Sequence, residues 1–240
     1  MKNKKPLVSV IIHSYNRFKF LLNAIKSVEI QNVDELELIL LNDQSTQEEY
    51  YNHNFPNFVN KIDIDRGKLP NWTGSRQALI NVGSLNARGK YLAFLDDDDI
   101  WLPDKLNTQI DLIEKNNMKF SSTEGFFGEG VFDENKNYKL YNSEHFYKIL
   151  KKKYKKTSYL KNKGFPTIWD YDFLAIHNCV IKSSVVIEKN LFDSIGGFRG
   201  LPEKADYDLW LNILKVEDLL YVDKPLFYYD GKHGEGKNYN

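Results

Sequence analysis

The chain has 240 residues, 42% of them hydrophobic and 14% aromatic, which is enough apolar material for one sizeable core. Lys plus Arg and Asp plus Glu each count 33, so no global charge is available to hold nucleic acid or an acidic partner, and any electrostatic site must be local. Cys179 is the one cysteine, which excludes an internal disulfide framework and a cysteine-based zinc cluster and suits a reducing, cytoplasmic compartment.

The apolar stretch in the opening MKNKKPLVSVII is too short for a signal sequence or a membrane span, so the expectation is a soluble protein, at most peripheral to a membrane. Leu7 to Ile12 is continuous enough in Val and Ile to be a strand buried on both faces, a parallel-sheet signal. Asn16 is an expected N-cap, because Phe18, Leu21, Leu22, Ile25 and Val28 follow it at helical spacing. A second strand, Leu36 to Leu41, stops at the turn-formers Asn42 to Thr46 and leaves Asp43 at its C-terminal end. A helical stretch from Ser75 to Ala87 leads into the strand Tyr91 to Leu95, which ends at Asp96-Asp97-Asp98-Asp99. Pro103 then opens a helix with Leu106, Ile110 and Ile113 on one face.

This βαβαβ order calls for an α/β fold with a Rossmann-like, mostly parallel central sheet and helices on both faces. Ligands of such sheets bind beyond the C-terminal strand ends, so Asn16, Asp43 and the aspartate cluster should converge. From 121 to 170 no structure can be assigned: Gly125, Gly128 and Gly130 interrupt a Phe-rich segment, and a lysine-dense stretch follows. Ala175 to Ile181 is a predicted strand, and a helix is predicted over Asp206 to Lys215 after Gly196-Gly197-Phe198. The chain is expected to be a single domain, with a nucleotide-binding half over 1–120 and a smaller acceptor-side region over 121–240.

Four consecutive carboxylates after a buried strand repel one another unless solvent, Lys or Arg, or a divalent cation offsets them. Hard oxygen ligands suit Mg²⁺ or Mn²⁺, which keep positions open for substrate phosphates. The competing reading is a solvated loop or a helix N-terminus, but charge there contributes only about 0.3 to 1 kcal/mol and one aspartate would supply it.

At these residues the sequence resembles the family 2 glycosyltransferases, nucleotide-diphospho-sugar transferases of the GT-A fold. Pro6 to Arg17 resembles the family's opening strand and nucleotide-contacting turn, with Ser14, Asn16 and Arg17 in that turn and with His13 and Ser14 where Pro and Thr are usual. Leu40 to Thr46 resembles the strand whose Asp, here Asp43, meets the nucleotide base. Asn81-Val82-Gly83 through Tyr91 resembles the segment before the metal motif, but Ile80 stands where the family has Arg, which turns attention to Arg76 for the diphosphate. Phe94 to Trp101 with Pro103 to Leu106 resembles the DxD motif and its helix, which implies Asp96 on the sugar-nucleotide and Asp98 on the metal, with Asp99 a further candidate and Asp97, where Ser is often found, on the donor side. Ile195 to Phe198 and Asp206 to Leu211 resemble the glycine turn and the Glu-Asp catalytic helix, with Ala205 in place of Glu. Asp206 is then the expected base, with Asp208 and Glu203 as alternates.

The resemblance also brings in His233, after Tyr228-Tyr229, as a metal or diphosphate contact, although Asp230 replaces the usual Arg and a place in a frayed tail is the competing reading. His177 and Asn178 are acceptor candidates set against a satisfied core histidine. Among Trp72, Trp101, Trp169 and Trp210, Trp169 is the expected sugar-stacking platform, whereas Trp101 and Trp210 are expected in the core. Cys179 is expected to be a buried small hydrophobe. Lys148 to Lys163 holds eight lysines and no acidic residue, either a solvated face or lid or a contact for an anionic membrane or lipid acceptor. The expected activity is metal-dependent inverting transfer of a sugar from a nucleotide diphosphate, UDP by resemblance, to a hydroxyl of a glycan, glycolipid or glycoprotein. A nucleotidyltransferase and a non-catalytic carbohydrate-binding module are the alternatives. The first would need a Gly-rich phosphate loop that Ser14 to Arg17 does not offer, and the second leaves the convergent carboxylates unexplained.

Overall fold

A computed structural model describes residues 5–33, 35–69, 75–160 and 164–233. In chain order its elements are β1 (Val8–Ser14), α1 (Phe18–Glu29), β2 (Leu36–Asn42), α2 (Glu49–Asn52), β3 (Val59–Asp63), α3 (Leu79–Asn86), β4 (Tyr91–Asp96), β5 (Ile100–Trp101), α4 (Lys105–Lys115), β6 (Phe120–Gly128) and β7 (Lys139–Leu140). There follow α5 (Tyr147–Lys153), β8 (Ile168–Trp169), α6 (Tyr171–Ile176), β9 (Val186–Glu188), α7 (Lys189–Ile195), α8 (Ala205–Ile213) and β10 (Leu219–Asp230).

One sheet takes the order β3-β2-β1-β4-β9-β6-β10-β5, with β7 on β6 and β8 on β10. The β3-β2-β1-β4 block is parallel, with β1, β2 and β4 buried on both faces, and β6 and β10 are parallel too, whereas β9 and β5 run antiparallel to their neighbours. Strand order reverses at β1, since β2 flanks one side and β4 the other, so the crevice of such a sheet opens beyond the ends of β1 and β4. The register there sets His13 beside Asp96. Side chains alternate between two cores: Val8, Val10 and Ile12 pack with Leu21, Leu106 and Ile110 on one face, and Ile11, Leu92 and Phe94 pack with Leu79, Leu209 and Trp210 on the other.

Two motifs from the sequence turn out to be joints of the scaffold. Asn81 clamps the glycine turn: its Oδ1 accepts Phe198 N–H at 2.9 Å and its Nδ2 donates to Phe198 O at 2.8 Å. Gly196 and Gly197, at φ 83° and 68°, make that turn possible. Gly89 lies so close to β1 that a Cβ would overlap Ser9 N. Neighbouring Arg88 donates to the buried Glu37 carboxylate at 2.9 and 2.7 Å.

Three expectations are corrected. Asn16 does not cap α1; it has φ 51°, Arg17 takes the cap position, and the Asn16 Oδ1 accepts Thr46 N–H at 2.7 Å, tying the loop after β1 to the loop after β2. The strand predicted over Ala175 to Ile181 is absent, because Asp170 accepts Phe173 N–H at 2.7 Å and starts α6, which runs to Ile176. Beyond it, Cys179 and Val180 are buried in the core, Cys179 as a free thiol. The unassigned region holds the long strand β6, whose Gly125 and Gly128 are not breaks: the Phe227 and Tyr228 rings of β10 occupy the space their side chains would fill.

Under the aspartate loop lies a buried polar strut. Lys105 Nζ donates to Gln109 Oε1 at 2.7 Å and stands 4.4 Å over the Trp101 ring, and Gln109 donates onward to Ser184 O at 3.0 Å. Burial with no carboxylate partner pulls the Lys105 ammonium well below the ordinary lysine pKa. Between that lowered pKa and 10.5 the unfolded chain binds the proton that the folded chain sheds, so folding becomes more favourable as pH rises. Urea titrations from about pH 7 to about pH 9.5 should therefore show the wild type gaining stability relative to Lys105→Met; parallel curves would contradict this.

Candidate active site

A cleft of about 550 Å³ opens beyond β1 and β4 and is lined by His13, Arg17, Arg76, Gln77, Asp96, Asp97, Asp98, Lys182, Lys204, Ala205, Asp206 and Tyr229, among others. Residues from both ends of the sequence meet there. A volume of this order holds a ligand of nucleotide-sugar size.

The four aspartates share a small set of partners. Asp96, 36% exposed at its side chain, pairs with the Lys182 ammonium, and its N–H donates to Ser183 Oγ at 3.1 Å. Asp97 accepts from Ser14 Oγ at 2.7 Å and from Arg17 Nη1 at 3.0 Å. Asp98 Oδ2 lies 2.9 Å from the same Nη1 but makes no aligned hydrogen bond, which leaves a buried carboxylate oxygen without one. Asp99 accepts Ser183 Oγ at 2.5 Å and Asp230 N–H at 3.0 Å. The charge is thus offset by two buried cations, Arg17 and Lys182, one from the first loop and one from the tight turn Lys182–Ser184. Burial still raises Asp97, Asp98 and Asp99: Asp97 despite Arg17, Asp98 to about 7 with the Asp97 and Asp96 charges adding, and Asp99 well above the usual range with Asp98 and Asp96 adding.

Asp43 is fully buried at the end of β2 and accepts Arg66 Nε at 2.7 Å and His13 Nε2 at 3.0 Å. Burial alone would raise its carboxyl, but the hydrogen bonds from His13 and Arg66 outweigh that and hold it below the usual range. The Arg76 guanidinium lies 5.8 Å over the Tyr15 ring at the rim. Ser14, completely buried, also shares a short hydrogen bond with Tyr50 OH.

Across the cleft, Asp206 stands in the first turn of α8 beside the buried Ala205. Burial raises the Asp206 carboxyl, the Asp96 charge raises it further, and the Lys182 charge draws it back. The alternates are placed differently. Asp208 faces away and is held by Arg199, whose Nε donates to it at 2.7 Å, and Glu203 is exposed on the preceding loop without lining the cleft.

His233 is fastened from three sides: its carbonyl accepts from Arg17 Nη2, its Nδ1 bonds the buried Asp230 carboxylate, and its ring lies 4.5 Å from Phe20. Only Nε2 is left for a ligand. Trp169, expected to face an acceptor, is instead completely buried and stacks at 4.2 Å on Tyr221. Trp101 and Trp210 are core residues, as expected. His177 and Asn178 do not line the cleft; the Asn178 side chain accepts Val180 N–H at 3.1 Å. Trp72 and residues 161–163 of the lysine segment lie outside the described residues.

Sequence reasoning missed Lys182, Ser183 and Arg66. A lysine after an apolar run carries no pattern of its own, and only the fold brings it to the aspartates.

Whether a divalent cation fits can be judged from the donors. Among the described residues no three His, Cys, Asp or Glu side chains are grouped to hold one alone. Asp98 nevertheless offers a buried hard oxygen with no hydrogen bond, the kind of single anchor that Mg²⁺ and Mn²⁺ complete with phosphate oxygens and water.

The model of glycosyl transferase family 2 matches residues 9–175, a span that includes the aspartate loop and ends before Asp206. An uncharacterized glycosyltransferase of Rickettsia bellii is 29% identical over 231 residues, covering 96% of this chain but only 30% of that protein. The Escherichia coli UDP-Glc:alpha-D-GlcNAc-diphosphoundecaprenol beta-1,3-glucosyltransferase WfgD is 28% identical over 231 residues, covering 90% of this chain and 73% of the relative. The mannosyltransferase PcManGT of Pyrobaculum calidifontis, solved with GDP-Man and Mn²⁺, superposes with a TM-score of 0.61 at 14% identity over 95% of this chain and 57% of its own.

Proposed function

The chain belongs to glycosyl transferase family 2 and has the GT-A fold, and on that premise we propose that it is an inverting glycosyltransferase moving a sugar from a nucleotide-diphosphate donor, with UDP the expected nucleotide, to an acceptor hydroxyl. The observation that carries this reading is the cleft itself, where the Asp96–Asp98 edge and Asp206 face one space.

In the proposed reaction the acceptor hydroxyl attacks the anomeric carbon from the face opposite the diphosphate and passes its proton to Asp206. A carboxyl whose pKa is raised by burial is a stronger base than an exposed aspartate, provided the pH keeps it ionised. Asp43 is fully buried and does not line the cleft, so its part in the reading is to fix His13 and Arg66 at the nucleotide end, while Ser14, Arg17 and Asp97 form the buried floor under the donor. Asn16 holds the two nucleotide-side loops together. Asp98 would hold a divalent cation, Mg²⁺ or Mn²⁺, which when bound would supply Lewis-acid stabilisation of the diphosphate charge. His233 Nε2 is the second candidate ligand, with Asp230 orienting the imidazole as carboxylates do for metal-bound histidines.

The acceptor is proposed to be a glycan or a lipid-linked sugar. Lys148, Lys151, Lys152, Lys153, Lys155 and Lys156 are exposed around α5, and Ile149 beside them is 50% exposed, a composition that fits the anionic face of a membrane. Among the described residues no helix is long and apolar enough to cross a bilayer.

The test is release of nucleoside diphosphate by purified protein from a panel of nucleotide sugars with Mn²⁺ present. Release from at least one donor, accelerated by a sugar acceptor, is expected. Silence across the panel would overturn the reading.

A further inference from the structure

Lys182 lies in the cleft with 6% of its surface exposed and reaches both sides of it. Its ammonium pairs with Asp96 and donates to Gln77 Oε1 at 3.2 Å, and its charge is felt by Asp206 and Asp99. An ammonium has three N–H donors, so among the described residues one remains uncommitted. The other lysine and arginine side chains of the cleft are placed differently. Arg17 is bound beneath the loop to Asp97, Asp98 and the carbonyl of His233, Arg76 lies over Tyr15 at the rim, and Lys204 is exposed at the start of α8 on the Asp206 side. Ile80, at the position where the family resemblance calls for an arginine, is 2% exposed in the core and can offer nothing to a ligand.

Resting on the glycosyltransferase reading, we propose that Lys182 is a catalytic residue whose free N–H contacts the donor diphosphate and stabilises the leaving group. As the acceptor oxygen bonds to the anomeric carbon, the bond from that carbon to the phosphate oxygen breaks. The electron pair stays on the diphosphate and the hydroxyl proton goes to Asp206. Lys182 keeps its own proton throughout and faces the oxygen that gains charge. Burial works against its charge, but Asp96 and the more distant aspartates overcome this and keep the ammonium protonated. The tight turn that carries it is rigid: Ser183 O accepts Trp101 Nε1–H at 2.7 Å, and Ser184 shares a hydroxyl bond with Ser122 at 2.7 Å. A cation on so fixed a mount is oriented before the substrate arrives.

The test compares UDP with uridine binding by calorimetry for wild type, Lys182→Gln and Lys182→Arg. In the wild type UDP should bind more tightly than uridine. In Lys182→Gln that preference should fall about 10- to 100-fold with uridine affinity unchanged, and kcat should fall with it. Lys182→Arg should recover most of the preference, which also covers the case in which the Gln variant fails to fold. An undiminished preference in a Gln variant that still binds uridine would overturn the proposal. So would an Arg variant that binds uridine without the preference, or a wild type that does not distinguish UDP from uridine. Failure of the wild type to turn over any donor would sink the glycosyltransferase reading and leave the binding ratio intact, so the two failures can be told apart.

Discussion

Replacing Asp206 with Asn should lower kcat by on the order of 10²- to 10⁴-fold while leaving UDP affinity nearly unchanged, because the substitution removes the proposed proton acceptor and keeps the size of the side chain. The contrast with Asp208 sharpens this expectation. Asp208 is only two residues on, but it is paired with Arg199 outside the cleft, so Asp208→Asn should change kcat by no more than about three-fold. Glu203 is exposed and should behave like Asp208. The pH profile gives a second readout. Burial raises the Asp206 carboxyl, so the acid limb of kcat/KM should lie above the ordinary aspartate value of about 3.9, with activity lost as pH falls through it. An Asp206→Asn variant with near-wild-type kcat would remove this residue from the mechanism.

The other large effect concerns stability. Trp169→Ala should cost about 3 to 5 kcal/mol of folding free energy, read from urea unfolding, since Trp169 is fully buried between Phe173 and Tyr221 and its Nε1–H donates to Pro166 O at 2.8 Å. A sugar-stacking tryptophan at the surface would give the opposite pattern, with small loss of stability and a raised acceptor KM. That outcome would place residue 169 back in the acceptor site.

The parallel half of the fold is legible in the sequence because β1, β2 and β4 are buried on both faces and read as apolar runs that are broken only by Ser9 and Glu37 and that stop at polar residues. Asp43 and the Asp96–Asp99 run could be located from strand ends alone. The second half resists the same reading. Gly125 and Gly128 look like breaks in β6, yet they are small because aromatic rings of β10 press on them, a contact between segments about a hundred residues apart. Trp169 looked like a platform because a tryptophan beside turn residues has no periodicity to mark which way it faces. Lys182 is the clearest omission. A buried lysine keeps its charge only where a carboxylate meets it, as Lys105 by contrast shows, and the match between Lys182 and Asp96 exists only once the 182–184 turn is folded beneath the aspartate loop. The charge anomaly was visible; the side chains that balance it were not. Among the departures from the family pattern, Ile80 and Ala205 are both buried, so neither can be replaced in function by a small shift of its own side chain.

Asp98 and Asp206 are proposed as two halves of one site with separable duties, one to hold the donor and the other to accept the proton. Calorimetry of UDP with Mn²⁺ on wild type, Asp98→Asn and Asp206→Asn tests that division directly. Binding should be lost or weakened at least about ten-fold in Asp98→Asn and retained in Asp206→Asn, whereas equal affinity in all three proteins would contradict it.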